Sequence, residues 1–444
     1  MRAHQPNILL ITTDQHRYDA IDGPANHFAV KTPGIDRLRN HGVLFENAYT
    51  TAPICCPARA AIVTGTYPSQ NGMIANMAGD ACGPLNEGLT TIANRMQAAG
   101  YQTVYCGKSH LGGNLRHYGF EIADENSYDA DILTQACRYW RNRDWIVTKR
   151  PFFMVVNFVN PHDVYFLDPD GACEPQLPPW PNQHDTLAGK PWPQKAKRGP
   201  EGGWTDRRWE YYRQFYRSKV EKVDGLIELL LDELFCTGYG CSTWVFITAD
   251  HGDMAGEHGL PFKGAYMYDG VTHVPLIVAP PRVRYVGWRN PNPGGPEFQP
   301  RCCPALVSHI DLAPTMMELA GIEADPDLPG TSLMPLIEGR RESVRDEAFA
   351  EWHQMGRMVT PIRMVRTDRW KYNLYLHVGE ELYDMQADPA ELNNLADDPA
   401  HANVKADLKA RLLKHIEQTG DKFFSYSVTD YSGQPVRPSP QSPQ

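Results

Sequence analysis

The sequence predicts an α/β fold in which helices cover both faces of a mostly parallel sheet, with a smaller antiparallel sheet plus helix near the C-terminal end. Four apolar runs, separated by helical segments, have the length and composition of buried strands, and each stops at a polar cluster. The chain of 444 residues is long enough for one large domain and a smaller one. Because parallel sheets bind ligands beyond the carboxyl ends of their strands, the four clusters are expected at one rim.

The four predicted strands differ in the polar residues that follow them. The strands are residues 7–13, 102–105, 152–159 and 242–248, and the residues that follow are Asp14 and Gln15, then Lys108 and His110, then His162, then Asp250 and His251. Each strand therefore delivers at least one group that can bind a cation or an anion, or carry a proton.

The remaining elements divide the chain into regions. Residues 1–357 are expected to form the catalytic domain, in which apolar side chains at helical spacing predict a helix between Lys219 and Phe235. Residues 358–425 are expected to form a small α+β subdomain, and residues 426–444, rich in Ser, Pro and Gln, a flexible tail.

One segment of the catalytic domain lacks regular periodicity. Residues 163–213 are rich in proline, tryptophan, glycine and charge. A long insertion of this kind is usually either a functional lid or disordered. Since it leaves the strand end that carries His162, we expect it to shape the substrate pocket.

Composition limits the classes of partner and compartment. A formal net charge of -10 argues against a general nucleic-acid binder, so an anionic substrate needs a local positive site. The ten cysteines follow no metal-finger or disulfide-framework spacing, which is typical of a reducing compartment. With neither a signal-peptide core nor an apolar stretch of membrane-spanning length, the chain is expected to be cytoplasmic and independent of membranes, as a monomer or an oligomer.

The stretch Cys55-Cys56-Pro57-Ala58-Arg59 is the strongest local signal in the chain. Pro57 suits the first turn of a helix, and Gly65 can end that helix, so Cys55 is expected at a helix N-terminus. Exposed amides there favour anions and lower the pKa of a thiol, as a catalytic nucleophile requires. The alternative from this stretch alone is a small buried cysteine pair.

The polar strand ends predict a metal site and a site for an oxyanion. Asp14, Gln15, Asp250 and His251 form a mainly oxygen ligand set that suits calcium, magnesium or manganese, although a helix cap and a turn would explain the same residues. A second set adds groups that hold an oxyanion or protonate a leaving oxygen; its members are Lys108, His110, His162 and Lys263.

With these residues, the sequence resembles the formylglycine-dependent (type I) sulfatase family of the alkaline-phosphatase superfamily. The signature is Cys55-x-Pro57-x-Arg59 followed by residues 60–65, AAIVTG. Supporting matches, which extend over nearly the whole chain, are Asp14-Gln15, Gly107-Lys108-Ser109-His110-Leu111-Gly112, Pro161-His162, Asp250-His251-Gly252, Leu382-Tyr383-Asp384, Asp388-Pro389 and Asn394-Leu395.

The resemblance implies an alkaline-phosphatase-like fold and the hydrolysis of organic sulfate monoesters. It further implies that a formylglycine-generating maturation enzyme oxidises Cys55 to formylglycine, whose hydrated aldehyde supplies the nucleophilic hydroxyl. One divalent cation, expected to be Ca²⁺ with Mg²⁺ or Mn²⁺ as alternatives, would polarise the sulfate. Its ligands would be residue 55 together with Asp14, Gln15, Asp250 and His251.

The same resemblance implies roles for the other residues. Arg59 would support the nucleophile, and Lys108 and Lys263 would hold sulfate oxygens. His162 would help to protonate the leaving alcohol, and His110 would help to expel sulfate. Asn76 is a further candidate for contact with a substrate, which would be a small-molecule or saccharide sulfate ester.

Two departures from the commonest family pattern keep alternatives open. Ala58 replaces a frequent serine, and Gln15 and His251 stand where many members have aspartate and asparagine. These choices also resemble phosphonate monoester hydrolases of the same family, so hydrolysis of a phosphonate monoester or a phosphodiester is the second hypothesis, although Lys108 and His110 keep the sulfatase-like pattern. A third hypothesis is a non-catalytic binding homologue.

Overall fold

A computed structural model describes residues 5–23, 25–77, 82–142, 150–168, 171, 176–199, 203–281 and 298–436. Within these residues, eight strands form one sheet and four strands form a second. The strands of the first sheet are β1 (Asn7–Asp14), β2 (Val43–Tyr49), β3 (Gln102–Gly107), β4 (Ile122–Asp124), β5 (Phe152–Pro161), β6 (Thr243–Ala249), β7 (Leu276–Ala279) and β8 (Arg301–Ser308).

The large sheet has the order β4-β3-β5-β1-β6-β7-β2-β8. β7 runs antiparallel to both of its neighbours, and the other pairs are parallel. The strands that end in polar clusters are β3, β5, β1 and β6, which are consecutive in this order. The predicted mostly parallel sheet is therefore confirmed, and its four polar ends lie side by side.

Side chains of β1 alternate between two apolar cores. Ile8 and Leu10 belong to one core, whereas Leu9 and Ile11 belong to the other, and all four are at most 1% exposed. Burial on both faces explains why the strand is a continuous apolar run instead of an alternating one. Helices Cys55–Thr64, Ile92–Ala98 and Leu312–Leu319 contribute to the first core, and helices Pro33–Arg39, Asp129–Arg141 and Asp206–Cys236 contribute to the second.

The other described α-helices have seven residues or fewer, apart from one near the C-terminus. They are Pro68–Asn71, Trp192–Arg198, Asp269–Thr272, Met334–Ile337 and Ala402–Gln418. Among the described helices, none combines the length and the apolar composition needed to cross a bilayer.

The second sheet starts earlier in the chain than the sequence predicts. Its strands, in the order β12-β11-β10-β9, are antiparallel and comprise β9 (Ala348–Met355), β10 (Met358–Arg366), β11 (Trp370–Tyr375) and β12 (Gly379–Asp384). β9 precedes the expected start of the subdomain at residue 358. Its apolar pattern is interrupted by Glu351, which is buried because Ser69 donates to both of its carboxylate oxygens.

The proline- and tryptophan-rich segment 163–213 contains more regular structure than its composition predicts. It includes the helix Trp192–Arg198 and the start of the helix Asp206–Cys236, which begins well before Lys219. Thr205 caps this helix by accepting a hydrogen bond from the amide of Arg208. The first turns bury aromatic rings, which do not show the Leu/Val spacing of the later turns. Residues 169–170, 172–175 and 200–202 lie outside the described residues.

The predicted flexible tail is packed over its first part. Val428 is 4% exposed, and its carbonyl accepts from the amide of Val436 at 2.9 Å. The Thr429 hydroxyl accepts from the amide of Val359 in β10 at 2.9 Å. Residues 426–436 thus belong to the small sheet's surroundings, and residues 437–444 lie outside the described residues.

A buried ionic network joins the small sheet to the helix Asp269–Thr272. The Lys371 ammonium on β11 contacts Asp269 at 2.5 Å and Glu391 at 2.8 Å, and it donates to the carbonyl of Met267 at 3.1 Å. Lys371 is fully buried. Its charge is therefore compensated by groups from the catalytic domain and from the loop after β12.

Candidate active site

The rim of the large sheet carries the predicted polar groups at adjacent strand ends. Asp14 is the last residue of β1, and Asp250 directly follows β6. Lys108 follows Gly107, which has φ 100°, and a Cβ at Gly107 would lie 2.2 Å from the carbonyl oxygen of Asn157. A glycine is therefore required where β3 turns toward the site, and it places Lys108 beside Asp14.

Cys55 occupies the helix N-terminus that the sequence predicts. The helix Cys55–Thr64 follows Ile54, which is extended, and it ends at Gly65 with φ 73°. Cys55 is 1% exposed. Its thiol lies 3.7 Å from Asp14 Oδ1 and 3.4 Å from His251 Nε2, so the helix start and two strand ends meet at one point.

Four potential metal ligands converge at this point. One ligand atom each from Asp14, Cys55, Asp250 and His251 all lie within 4.8 Å of one another, and all four residues are buried. Two carboxylates, an imidazole and residue 55 form a mixed donor set that suits a divalent cation with a preference for oxygen ligands.

Gln15 completes this ligand group in a strained backbone conformation. Its φ is 67°, and its backbone N–H donates to Asp250 Oδ1 at 2.9 Å. Its side-chain Nε2 donates to Asp253 Oδ2 at 2.5 Å, so Oε1 faces the cluster, where it accepts from Lys263 at 3.0 Å. An orientation that is fixed in this way leaves the amide oxygen available as a ligand.

The contacts of the Lys263 ammonium indicate how these residues accommodate a cationic group. It lies 2.9 Å from Cys55 Sγ, 3.0 Å from His251 Nε2 and 3.0 Å from Gln15 Oε1. Three of the predicted ligands thus present their acceptor atoms to one cationic group. The chemistry of the donor set fits a divalent cation.

Arg59 connects the two carboxylates. Its Nε donates to Asp250 Oδ2 and its Nη2 to Asp14 Oδ2, both at 3.0 Å, while Nη1 donates to the Lys108 carbonyl at 3.0 Å. Arg59 is 3% exposed. The guanidinium therefore fixes the spacing of Asp14 and Asp250, because its planar donors bind both carboxylates at once.

The cations around Asp14 keep it ionised. Burial raises the pKa of this carboxyl, but Lys108, His162, Arg59 and Lys263 together outweigh burial and hold the pKa well below its usual value. Of Lys108 and Lys263, Lys108 lies closer to this carboxylate, with its ammonium 2.7 Å from Asp14 Oδ2.

The same surroundings act on Cys55 and not on its neighbour. Burial and the Asp14 charge raise the pKa of the Cys55 thiol. Lys263, Lys108 and His251 lower it by more, so the pKa lies well below the usual value. Burial raises the pKa of Cys56 to about 11. Cys56 belongs to the apolar core, so the two adjacent cysteines lie in opposite environments.

The remaining predicted residues lie around this centre at different distances. The Asn76 side-chain oxygen accepts from the amide of Cys56 at 2.9 Å, which places it at the helix start. His162 is close enough to Asp14 to lower its pKa. His110 has φ 52°, and its buried Nδ1 has no hydrogen-bond partner among the described residues. His110 is placed near the centre by the chain alone, because it lies two residues beyond Lys108.

Three residues that hold the site were missed in the sequence. Asp253 orients the Gln15 side chain and accepts from the Tyr212 hydroxyl at 2.7 Å, and the Tyr216 hydroxyl donates to the Gln15 carbonyl at 2.7 Å. Asp253 could have been found, because it lies two residues beyond His251. The two tyrosines lie on the long helix, where nothing in the sequence distinguishes them from other core aromatics.

This geometry combines residue 55 at a helix N-terminus, a candidate cation site and several cationic side chains. Arg59 and Lys108 contact the carboxylates, and Lys263 contacts residue 55. Such a site favours an anionic substrate whose reacting atom is attacked from the helix N-terminus.

Comparison with known families gives a consistent result along the chain. Residues 6–322 match the family model for sulfatases, and residues 256–418 match a second model described as N-sulphoglucosamine sulphohydrolase, C-terminal. A Delta 4,5-hexuronate-2-O-sulfatase of Bacteroides thetaiotaomicron is 29% identical over 457 residues, which cover 96% of this chain and 91% of the relative.

Solved structures share the whole architecture. A structure described as a 2-O GAG sulfatase aligns with a TM-score of 0.83 and 28% identity, covering 99% of this chain and 98% of the other. A phosphonate monoester hydrolase of Agrobacterium radiobacter aligns with a TM-score of 0.75 and 23% identity, covering 98% and 100%. The second likeness concerns the fold alone.

Proposed function

Because this chain belongs to the sulfatase family and is a sulfatase, an enzyme that acts on sulfate esters, we propose that it hydrolyses organic sulfate monoesters through a formylglycine made from Cys55. The observation that carries the proposal is the position of Cys55, at a helix N-terminus within 3.7 Å of Asp14 and 2.9 Å of the Lys263 ammonium. A maturation enzyme would have to convert the thiol before the buried site closes over it.

In the first step, one hydroxyl of the hydrated aldehyde loses its proton to solvent, its oxygen attacks sulfur, and the bond from sulfur to the alcohol oxygen breaks. Lys108 and Lys263 hold the sulfate oxygens as negative charge moves onto the leaving oxygen. His162 donates the proton that this oxygen takes up. The alcohol leaves, and the sulfate remains esterified to residue 55.

In the second step, the remaining hydroxyl on the same carbon loses its proton, and the carbonyl re-forms. The bond from carbon to the sulfate oxygen breaks, and sulfate leaves with the electron pair. We assign the proton acceptor to His110, whose unpartnered Nδ1 can take it up. Water then hydrates the aldehyde again, so the net reaction consumes one water for each ester.

The proposed cofactor is one divalent cation, Ca²⁺, held by Asp14, Gln15, Asp250, His251 and residue 55. When bound, it would polarise the sulfate and favour the ionised hydroxyl. Burial and the nearby Asp14 charge raise the pKa of Asp250. A cation between the two carboxylates would remove that repulsion, which is the physical reason to expect one there.

The proposed substrates are sulfated saccharides. The support is the similarity to the hexuronate-2-O-sulfatase and to the 2-O GAG sulfatase, whose own substrates their names describe. Sulfated hexosides and hexuronides that differ in the sulfated position, together with an aryl sulfate and its matched aryl phosphonate, form the test panel. We expect the largest kcat/KM for a saccharide sulfate; a clear preference for the phosphonate would reject the proposal in favour of the phosphonate hydrolase alternative.

Conversion of Cys55 separates an enzyme from a binding homologue. Protein made in cells that contain the maturation enzyme is expected to carry an aldehyde at position 55, and peptide mass spectrometry detects the loss of the sulfur and two hydrogens together with the gain of one oxygen. Only unmodified cysteine at this position, together with no turnover, would favour the non-catalytic binding hypothesis.

Removal of divalent cations is expected to abolish turnover reversibly and to lower the thermal midpoint. A ligand that binds the folded state at a hundred times its Kd stabilises it by about 2.7 kcal/mol. Ca²⁺, Mg²⁺ and Mn²⁺ are then added back separately, and we expect Ca²⁺ to restore most activity. Full turnover by protein shown by elemental analysis to be metal-free would refute the metal assignment.

His162→Ala is expected to affect esters of poor leaving groups most. Proton donation contributes about 10²- to 10⁴-fold where the alcohol is a weak acid, and much less for an activated aryl alcohol. The measurement is kcat/KM across a series of leaving-group pKa values. A uniform loss across that series would argue that His162 does not protonate the leaving oxygen.

A further inference from the structure

One lysine close to the candidate active site has an ammonium group that the site described above does not use. Lys197 lies in the last turn of the helix Trp192–Arg198 and is half-buried. Among the described residues, none forms an ion pair or a hydrogen bond with it. Its Nζ lies 5.9 Å from the centre of the Phe262 ring, a weak cation–π contact that uses none of its hydrogen-bond donors.

Aromatic rings connect Lys197 with the reacting centre. Phe262 directly precedes Lys263, and its ring stacks on Tyr165 with centroids 4.0 Å apart and planes 10° apart. Tyr165 lies 4.8 Å from the His162 ring and 5.9 Å from the Lys263 ammonium. The wall of Tyr165 and Phe262 therefore extends from the proposed proton donor to Lys197.

This wall is held in place and open to a ligand. Phe262 has φ 58°, a conformation that a bulky side chain adopts only when its surroundings impose it. Tyr165 is 41% exposed, although its ring contacts Phe262. A partly exposed tyrosine ring beside a proton donor is suited to contact with the apolar face of a sugar ring.

The electrostatic surroundings of Lys197 also connect it with the site. Burial lowers the pKa of Lys197, Asp253 raises it, and Lys263 lowers it. Lys197 is thus within electrostatic range of the lysine that contacts residue 55. A partly desolvated cation that forms no ion pair with the described carboxylates favours binding of an anion.

We infer that Lys197 determines specificity by binding a second anionic group on the organic part of the substrate, while that part packs against Tyr165 and Phe262. The group is a carboxylate or a second sulfate, since both present oxygen acceptors to an ammonium. This inference rests on the proposed function, because it places the leaving oxygen at His162 and the rest of the ester along the wall.

The test compares three substrates sulfated at the position that the wild-type enzyme prefers. They are a hexoside, the matching hexuronide, and the hexoside with a second sulfate. Lys197→Gln is assayed with Lys197→Arg, which keeps the charge, and with Lys195→Gln, which removes an exposed charge from the same helix. The readout is the ratio of kcat/KM for each dianionic ester to that for the hexoside monosulfate, which carries only the one negative charge of its sulfate.

We expect Lys197→Gln to lower this ratio by about tenfold to a hundredfold for at least one dianionic ester, as for the loss of a hydrogen bond to a charged group. Lys197→Arg should restore most of the ratio, and Lys195→Gln should leave it near the wild-type value. The affected ester identifies the anion as carboxylate or sulfate.

Three results would overturn the inference. If the kcat/KM ratio fell equally in Lys195→Gln and Lys197→Gln, the effect would come from the overall positive charge of the helix. An unchanged ratio in Lys197→Gln would exclude binding of the anion by this residue. A ratio near one in the wild type would exclude a second anion. If the wild type hydrolysed no member of the set, the proposed function itself would fail.

Discussion

Cys55→Ala is expected to lower kcat/KM by at least about 10⁴-fold, because it removes the side chain from which the nucleophile is made. The fold should persist, since Lys263 keeps its hydrogen bonds to Gln15 and His251 after the thiol is lost. Turnover of the preferred sulfate ester and the circular dichroism spectrum are measured on the same preparations.

Cys56→Ala is the matched control for this variant. Cys56 is about equally buried and adjacent in the chain, but its side chain packs in the apolar core. We expect a small loss of stability and activity within a few fold of wild type. Comparable losses in both variants would show that the packing of the helix start, and not the chemistry at position 55, controls turnover.

Arg59→Ala is expected to destabilise the protein and to remove activity together. Both carboxylates that Arg59 contacts are fully buried, and removing one partner of a buried ion pair costs about 3–5 kcal/mol. In the variant Arg59→Lys, the single ammonium could reach only one carboxylate at a time, so we expect an intermediate effect. Denaturant midpoints, metal content and kcat/KM are measured for each variant.

A surface arginine controls for the loss of charge alone. Arg217 pairs with Glu221 one turn along the long helix, and both side chains are partly exposed. Arg217→Ala should change the free energy of unfolding by about 0.5 kcal/mol or less. If Arg59→Ala were no less stable than Arg217→Ala and kept its metal, the guanidinium would not be what spaces the two ligands.

Much of the site was predictable because its residues follow long, fully buried strands. In such strands an apolar run ends where the chain leaves the sheet, so Asp14 and Asp250 could be placed at one rim without knowledge of the topology. The helix start at Cys55 was equally clear, since Pro57 and Gly65 mark its two ends. These signals are local, and each depends on a few neighbouring residues.

Other features depend on contacts between distant parts of the chain. Lys263 reaches residue 55 because the loop after β6 folds back on itself, with the Met254 amide donating to the Phe262 carbonyl at 2.8 Å. No periodicity in the sequence encodes that closure. Strand β9 was missed for a similar reason, because buried Glu351 is compensated by Ser69, far earlier in the chain.

The buried contact of Lys371 with Asp269 limits which segments of this protein can be exchanged with those of a relative. An exchange of the C-terminal sheet alone between relatives would separate a buried cation from its counter-ion, unless the donor supplied the same pair. The crossover point compatible with folding therefore lies upstream of Asp269, within the catalytic domain. The C-terminal sheet and the segment that leads from Lys263 to Asp269 are expected to be inherited as one unit.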